Sequence, residues 1–328
     1  MVENVLSVRD LRVEIPLRDG VLCPVDAVSF DIPAGEILGV VGESGAGKSM
    51  TGNAVIGLLD PPSHIAGGEI WLNGARIDNL PKEDMRRLRG KQIGMVFQDP
   101  LTSLNPLLTI GDQLRETILE HLPVTRAQAA ARAIAALEEV GIPAAAQRID
   151  SYPHEFSGGM RQRVVIALAL CAEPSLVIAD EPTTALDVSV QAQIIALLKR
   201  LCRERGTAIM LVTHDMGVIA ETADRVAVMY AGRLAELGTV REVLSAPLHP
   251  YTRGLMASTP LAAKGKRRLN QIPGAMPRLD ALPPGCAFHP RCPVAIDRCA
   301  IDPGPRLETC GGRAACWLAE EARHEQAG

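Results

Sequence analysis

The sequence has no long apolar segment. Its longest uninterrupted apolar run, residues 164–172, is far shorter than the ~18 residues that a membrane-spanning helix needs. The amino-terminal residues also lack the basic region followed by an apolar stretch that marks a secretory signal. We therefore expect a globular protein that stays in the cytosol and does not cross a bilayer by itself.

Positive charge is not in excess either. The 34 Lys and Arg residues stand against 38 Asp and Glu residues, for a formal net charge of -4. Since nucleic-acid binding requires surplus Lys and Arg facing the phosphates, this balance argues against a general nucleic-acid-binding role.

The 328 residues are enough to bury a core without cross-links, and the 8 cysteines of a chain with no export signal are not expected to form a disulfide framework.

The apolar residues follow two patterns that predict strands. Apolar and polar residues alternate over residues 6–13 and 28–32, which is typical of half-buried strands. The short unbroken apolar runs at 37–41, 176–179 and 208–212 are instead typical of strands buried on both faces of a parallel sheet.

Helical patterns fill the regions between these strands. Alanine-rich amphipathic spacing predicts a helical insert at about residues 101–172, and a further helix is predicted over residues 190–205. A helix between two buried strands is the βαβ arrangement, so the predicted fold class is α/β with a parallel core sheet. No motif recurs at a fixed period, which indicates a single module.

Residues 42–49, Gly-Glu-Ser-Gly-Ala-Gly-Lys-Ser, fit the phosphate-loop pattern between a predicted buried strand and a helix. Glycines allow the backbone to turn its N–H groups toward phosphate oxygens, and the following helix presents its positive end. Lys48 would supply a charge for the β and γ phosphates. The hydroxyl of Ser49 would be a ligand of Mg²⁺, which prefers oxygen donors.

Two further segments contain candidate catalytic or binding residues. Asp180 and Glu181 follow a buried strand, so Asp180 can hold Mg²⁺ through water while Glu181 orients or deprotonates an attacking water. Ser157, Gly158 and Gly159 precede an apolar helical run. Taken alone, they fit a capped helix start as well as a functional loop.

The motifs occur in a definite order: phosphate loop, Gln98, Ser-Gly-Gly segment, Asp180 and Glu181, residues 184–187, then His214. This order resembles the ATP-binding cassette (ABC) family over about residues 4–245. The resemblance implies a P-loop NTPase cassette with an amino-terminal antiparallel β-subdomain and a helical subdomain at about 101–172. It also implies that the Ser-Gly-Gly segment of one cassette closes over ATP bound to a second one.

The resemblance implies roles for individual residues. Glu181, His214 and Gln98 are expected to be catalytic, with His214 contacting the γ-phosphate and Gln98 sensing Mg²⁺ and the attacking water. Ser49, Gln98 and Asp180 are the expected Mg²⁺ site. The residues expected to bind ATP are Gly42, Glu43, Ser44, Gly45, Ala46, Gly47, Lys48, Ser49, Met50, Asp180, Ser157, Gly158, Gly159 and Asp187.

The sequence departs from the family pattern at two places. Met160 stands where the signature usually ends in Gln, so one side-chain contact is missing. Residues 13–17 contain no aromatic side chain to stack on adenine, so the base is expected to rest on an aliphatic surface.

Residues 97–106 and the Phe-Ser-Gly-Gly-Met-Arg-Gln-Arg signature resemble the dipeptide, oligopeptide and nickel importer branch of the family. Residues 249–255 and 285–293 resemble the carboxy-terminal extension of its peptide transporters, which favours peptide over nickel and assigns residues 246–328 to that extension. The implied partners are a sister ATPase, two permease subunits and an extracytoplasmic solute-binding protein, at the cytoplasmic face of the bacterial inner membrane. A soluble, non-transport ABC ATPase is the alternative from another class.

The extension contains a cluster of cysteines. Cys286, Cys292 and Cys299 are separated by five and six residues, and Cys316 or Cys310 is available as a fourth thiolate. No Cys-x-x-Cys pair of a zinc ribbon occurs. Four thiolates in a proline-rich segment suit a [4Fe-4S] cluster, and some members of the importer branch are similar in carrying one. Reduced cysteines that pack a small subdomain are the alternative.

Overall fold

The structure is a computed structural model that describes residues 4–184, 187–259, 271–307, 310 and 312–319. The chain divides into two compact units. We call the first the signature unit (Met1–Leu6, Ile32–Glu36, Asn79–Leu211) and the second the phosphate-loop unit (Ser7–Asp31, Ile37–Asp78, Val212–Gly328). Ala185 and Leu186, part of the expected motif at 184–187, lie outside the described residues.

The phosphate-loop unit contains most of a four-stranded sheet with the order β2-β1-β4-β5. Its members are β1 (Asn4–Leu17), β2 (Gly20–Pro33), β4 (His64–Leu72) and β5 (Ala75–Arg76), and β4 and β5 are antiparallel. The predicted strands at 6–13 and 28–32 are confirmed and extend further. The alternation predicted for β1 is seen in Leu11 and Val13, which are fully buried while Arg12 between them is exposed.

The same unit contributes strands in the order β10-β9-β3 to a mixed sheet. The run at 37–41 is confirmed as β3 (Ile37–Val41), buried at every position and parallel to β9 (Arg225–Tyr230). β9 turns at once into antiparallel β10 (Arg233–Thr239). The helices of this unit are α1 (Lys48–Ile56), α9 (Met216–Thr222), α10 (Val240–Ser245) and α11 (Pro250–Ala257).

The signature unit has strands in the order β8-β7-β6. The predicted strands at 176–179 and 208–212 are confirmed as β7 (Leu176–Asp180) and β8 (Ala208–Val212), and β7 is parallel to β6 (Ile93–Val96). The helices are α2 (Lys82–Leu88), α3 (Pro100–Ser103), α4 (Ile110–His121), α5 (Arg126–Glu139), α6 (Ala145–Arg148), α7 (Gly158–Leu170) and α8 (Val188–Arg205).

The helical insert is held together by amphipathic faces. α5 begins at a capping box between Thr125 and Gln128, which satisfies backbone N–H groups that a helix start leaves unpaired. Its buried residues recur at helical spacing, and they are Ala129, Ala133, Ala136 and Leu137. α4, α5 and α7 pack against one another, so the predicted helical region at 101–172 is confirmed as a layer of helices.

The described part of the chain after α11 has little regular structure. It contains two short 3-10 turns, His289–Arg291 and Asp297–Ala300, among proline and glycine residues. A small apolar cluster joins Cys299, Cys310 and Trp317, with Cys286 packed against it. Within the residues that the structure describes, no helix is both long and apolar enough to span a bilayer.

Candidate functional site

The phosphate loop lies between β3 and α1, where the sequence places it. Gly47 is the N-cap of α1 with φ 103°, and a Cβ there would overlap the carbonyl oxygen of Pro24. Glycine is therefore required on two counts, the left-handed backbone and the close approach of a neighbouring chain segment. The loop leads into the amino-terminal end of a nine-residue helix, whose free N–H groups attract anions.

The side chain of Lys48 folds back onto the first residues of this loop. Its side chain is buried, at 7% exposure, and its Nζ donates hydrogen bonds to the carbonyl oxygens of Gly42 at 2.9 Å and Glu43 at 3.0 Å. A buried ammonium held by loop carbonyls is positioned for phosphate oxygens with little freedom left to lose. Ser49 is exposed on the first turn of α1, and Met50 beside it is half-buried.

Two side chains that the sequence reasoning assigned to no role also contact the loop. The backbone N–H of Glu43 donates to the hydroxyl of Tyr251 at 2.9 Å. The carboxylate of Glu43 forms an ion pair with Arg291, whose Nη1 lies 3.0 Å from Oε2. No local signal points to these contacts, because the partners are 208 and 248 positions away along the chain.

In the signature unit, Gln98 and Glu181 are brought together. β6 and β7 are parallel with Val96 opposite Ala179, so the residues that follow both strands emerge at one edge. Nε2 of Gln98 donates to Oε2 of Glu181 at 3.2 Å, and the hydroxyl of Thr184 donates to the same oxygen at 2.8 Å. The predicted metal-sensing glutamine and the predicted catalytic carboxylate are thus direct partners.

The backbone of Glu181 is unusual. Its φ is 46°, in the left-handed region that non-glycine residues rarely adopt. Such conformations cost about 1–3 kcal/mol and persist only where surrounding contacts enforce them, often at functional sites. Asp180, the last residue of β7, keeps ordinary strand geometry and is half-buried.

The Ser-Gly-Gly segment starts α7, as both sequence interpretations required. Ser157 is the N-cap, and its hydroxyl accepts a hydrogen bond from the N–H of Met160 at 3.4 Å. Gly158 is exposed, and a Cβ placed on it would meet nothing within 4 Å. Gly159 is different, because its Cβ would lie 2.7 Å from Cγ1 of Val190.

Asp187 and His214, two further predicted site residues, are exposed. Asp187 is the N-cap of α8, and Val188 next to it has 84% exposure. His214 follows β8 and belongs to the phosphate-loop unit, whereas Glu181, its expected catalytic companion, belongs to the signature unit.

Four cysteines of the extension line one cavity, and they are Cys286, Cys292, Cys299 and Cys316. Burial raises the pKa of the Cys286 thiol to about 11 and raises the pKa values of the Cys292 and Cys316 thiols as well. Trp317 also lines the cavity, and its buried Nε1 has no hydrogen-bond partner. Cys310 is not among the lining residues. Among the residues that the structure describes, no group of three or more His, Cys, Asp or Glu side chains is arranged to hold a metal ion.

Two protein-family models match the sequence, each over a different range of residues. A family model described as "ABC transporter" matches residues 25–184. A second one, described as "Oligopeptide/dipeptide transporter, C-terminal region", matches residues 235–299.

Individual proteins are similar over nearly the whole chain. The dipeptide transport ATP-binding protein DppD of Bacillus subtilis is 46% identical over 323 residues, which is 97% of this chain and 96% of that protein. The oligopeptide transport ATP-binding protein OppD of Escherichia coli is 49% identical over 316 residues, which is 96% of this chain and 93% of that protein.

A solved structure of the ATP-binding cassette MJ0796, in a dimeric post-hydrolysis state bound to ADP and Pi, superposes with a TM-score of 0.65 at 26% identity. It covers 72% of this chain and 99% of that chain. The fold, the phosphate loop and the similarity along the chain agree: this chain is an ABC-family ATPase and belongs with the ATP-binding proteins of oligopeptide and dipeptide transport.

Proposed function

We propose that the chain is the ATP-hydrolysing subunit of a bacterial ABC importer and energises the uptake of dipeptides or oligopeptides. The observation that carries the ATPase assignment is the buried Lys48 held by loop carbonyls in front of α1. Peptide as the cargo is supported by the names of the relatives and by the match of residues 235–299 to the peptide-transporter carboxy-terminal region.

In the proposed mechanism, the phosphate loop and Lys48 bind the triphosphate, and Ser49, Gln98 and Asp180 are the residues that would hold Mg²⁺. Bound Mg²⁺ would neutralise charge that develops on the phosphate oxygens. Glu181 accepts a proton from the attacking water or holds the water in line. The Gln98 amide keeps the carboxylate of Glu181 oriented, and His214 contacts the γ-phosphate.

A second cassette completes the site. Ser157, Gly158 and Gly159 would close over ATP bound to a sister ATPase, with Asp187 in the same seam. The exposure of Gly158, Asp187 and Val188 supports this role, because these groups have no covering element in the described part of the chain. Two permease subunits and an external solute-binding protein are the further partners, with the cassette at the cytoplasmic face of the inner membrane.

The division into a cassette at 4–245 and an extension at 246–328 stays a proposal. It is supported by two separate family matches, one ending at residue 184 and the other starting at 235. The two compact units follow a different division, because segments from distant parts of the chain fold together in each.

We further propose that Cys286, Cys292, Cys299 and Cys316 hold a [4Fe-4S] cluster, which would require them to move closer together, because no three of them are arranged as metal ligands in the described residues. Support comes from their lining one cavity and from the unpaired N–H of Trp317, a donor suited to a sulfide or thiolate acceptor. Iron and acid-labile sulfide are measured after anaerobic purification. Cys292→Ser should lose both while the buried Cys202→Ser control retains them. Absence of both elements from the wild-type protein would favour cysteines that merely pack the extension.

The transport proposal is tested with the complete importer in vesicles. ATP hydrolysis should rise when peptide and the solute-binding protein are added, and Glu181→Gln should abolish the rise. Stimulation by nickel instead of peptide would identify the alternative cargo. Hydrolysis that needs no membrane partner would favour a soluble ABC ATPase.

A further inference from the structure

The first half of the phosphate loop is held by the carboxy-terminal part of the chain. Tyr251 is fully buried on α11, and its hydroxyl accepts the N–H of Glu43 at 2.9 Å. Nη1 of Arg291 lies 3.1 Å from Oε1 and 3.0 Å from Oε2 of the Glu43 carboxylate. Backbone and side chain of one loop residue are therefore both fixed by distant segments.

Arg291 is itself tightly fixed. Its side chain is only 8% exposed, and it donates from Nε to Pro273 O at 2.9 Å and from Nη2 to Gly274 O at 3.3 Å. Nη1 also reaches the hydroxyl of Tyr230 at 3.2 Å, and the guanidinium lies 5.8 Å from the Tyr230 ring centroid and 5.9 Å from that of Phe288. Arginine in such a setting loses little freedom when it holds a carboxylate.

The ion pair has a consequence for the electrostatics of the loop. Glu43 carries a negative charge in a segment whose neighbouring amides and Lys48 must attract a triphosphate. Like charges in a partly buried site repel more strongly than in water, so an unneutralised Glu43 would oppose binding. Arg291 cancels this charge and turns the carboxylate toward the carboxy-terminal segment.

We propose that Arg291 is a positioning residue for nucleotide binding: by neutralising and holding the Glu43 carboxylate, it keeps the phosphate loop receptive to nucleoside triphosphates. The carboxy-terminal segment is thereby part of the apparatus that sets ATP affinity. The inference rests on the proposed function of this loop in binding ATP.

The test measures equilibrium binding of Mg-ATP to the full chain carrying Arg291→Gln, Glu43→Gln or both substitutions. Arg291→Gln should weaken binding about tenfold, since it leaves one uncompensated negative charge near the phosphates. Glu43→Gln should tighten binding about threefold, because the charge of Arg291 is then free to attract the phosphates. The double variant should return to within about threefold of the wild type, because the charges balance again.

Arg278→Gln is the matched control. Arg278 has the same charge in the same part of the chain, but its side chain is 83% exposed and pairs with Asp280. This variant should bind Mg-ATP as the wild type does. In the complete importer, Arg291→Gln should raise the KM for ATP while kcat stays within about twofold, since the interaction acts on binding rather than on the chemical step.

A double variant as weak as Arg291→Gln alone would overturn the proposal, because it would show that Arg291 merely props up the fold. Wild-type affinity in Arg291→Gln would also overturn it. Should Arg291→Gln not fold, Glu43→Gln alone decides: Mg-ATP binding no tighter than that of the wild type overturns the proposal. Failure of the proposed function looks different: wild-type protein would bind no Mg-ATP, or Lys48→Ala would bind it unchanged.

Discussion

The phosphate loop is held by many hydrogen bonds and an ion pair, whereas the side chains that contact Glu181 are exposed. In the loop, Lys48 is buried and bonded to two carbonyls, and Glu43 is held through both its backbone and its carboxylate. Gln98 and Thr184, which contact Glu181, are exposed side chains. Gly158 of the Ser-Gly-Gly segment is also exposed, and an added Cβ there would meet nothing within 4 Å.

This difference indicates that nucleotide binding and hydrolysis depend on different parts of the chain. A preformed loop binds a phosphate chain without reorganising, which lowers the cost of binding. Exposed groups around the predicted catalytic carboxylate are instead open to contacts from other chains, as the proposed pairing with a second cassette requires. Binding would then belong to one chain and efficient hydrolysis to an assembly.

The largest expected effect tests the restraint of the loop. Gly47→Ala should weaken Mg-ATP binding at least about 100-fold, because the left-handed backbone and the overlap with Pro24 displace the loop. Gly67→Ala is the control, since its nearest contact is 3.8 Å away and its backbone is not left-handed. Titration calorimetry measures the affinity of both variants and of the wild type for Mg-ATP. Near wild-type affinity in Gly47→Ala would show that the loop is not rigid.

The next effect concerns the Glu181 region. Glu181→Gln should lower ATP turnover in the complete importer about 100-fold or more, because the carboxylate that handles the attacking water is lost. Mg-ATP affinity of the isolated chain should change little, since the loop contacts remain. Steady-state hydrolysis and equilibrium binding are compared for the same preparations. Unchanged turnover would contradict the catalytic assignment.

A third prediction concerns the pH dependence of stability at His249, which contacts Tyr251, the residue that holds the phosphate loop at Glu43. Burial lowers the pKa of His249 to about 4, below its ordinary 6.5, and its Nδ1 accepts the N–H of Tyr251. The unfolded chain takes up a proton as pH falls through 6.5 while the folded chain does not. This contribution to stability is complete above pH 6.5 and is lost toward pH 4, by about 2 kcal/mol between pH 6.5 and 5.

His249→Asn isolates that contribution, because Asn also caps a helix start but does not titrate. Denaturant unfolding of wild type and variant at pH 7 and pH 5 gives the comparison. The variant should lose about 2 kcal/mol less than the wild type on acidification. Equal losses would mean that His249 is already protonated in the folded chain at pH 5.

The smallest effect separates the two glycines of the signature. Gly158→Ala should change the free energy of unfolding of the isolated chain by less than about 0.5 kcal/mol, since the new methyl group meets open space. Gly159→Ala should cost about 1–2 kcal/mol, because its methyl group would press on Val190. Denaturant melts measure both. A Gly158→Ala loss as large as that of Gly159→Ala would show that Gly158 is already covered within one chain.

Much of the fold was predictable because the signals are local. The apolar runs at 37–41, 176–179 and 208–212 each became a strand, and Thr125 and Gln128 marked the start of α5. β9 and β10 escaped prediction, although residues 226–230 form an apolar run, because a short run of this kind fits a strand or a helix equally well.

The sequence by itself determined the phosphate loop and its place between β3 and α1, because the glycine pattern and the apolar run before it are local signals. The partnership of Gln98 with Glu181 required the pairing of β6 with β7, which was not predicted from the sequence. Only the tertiary structure decided that Arg291 and Tyr251 hold Glu43 and that Glu181 takes a left-handed backbone. Contacts between residues more than 200 positions apart arise from packing of the whole chain, and no local pattern of residue types encodes them.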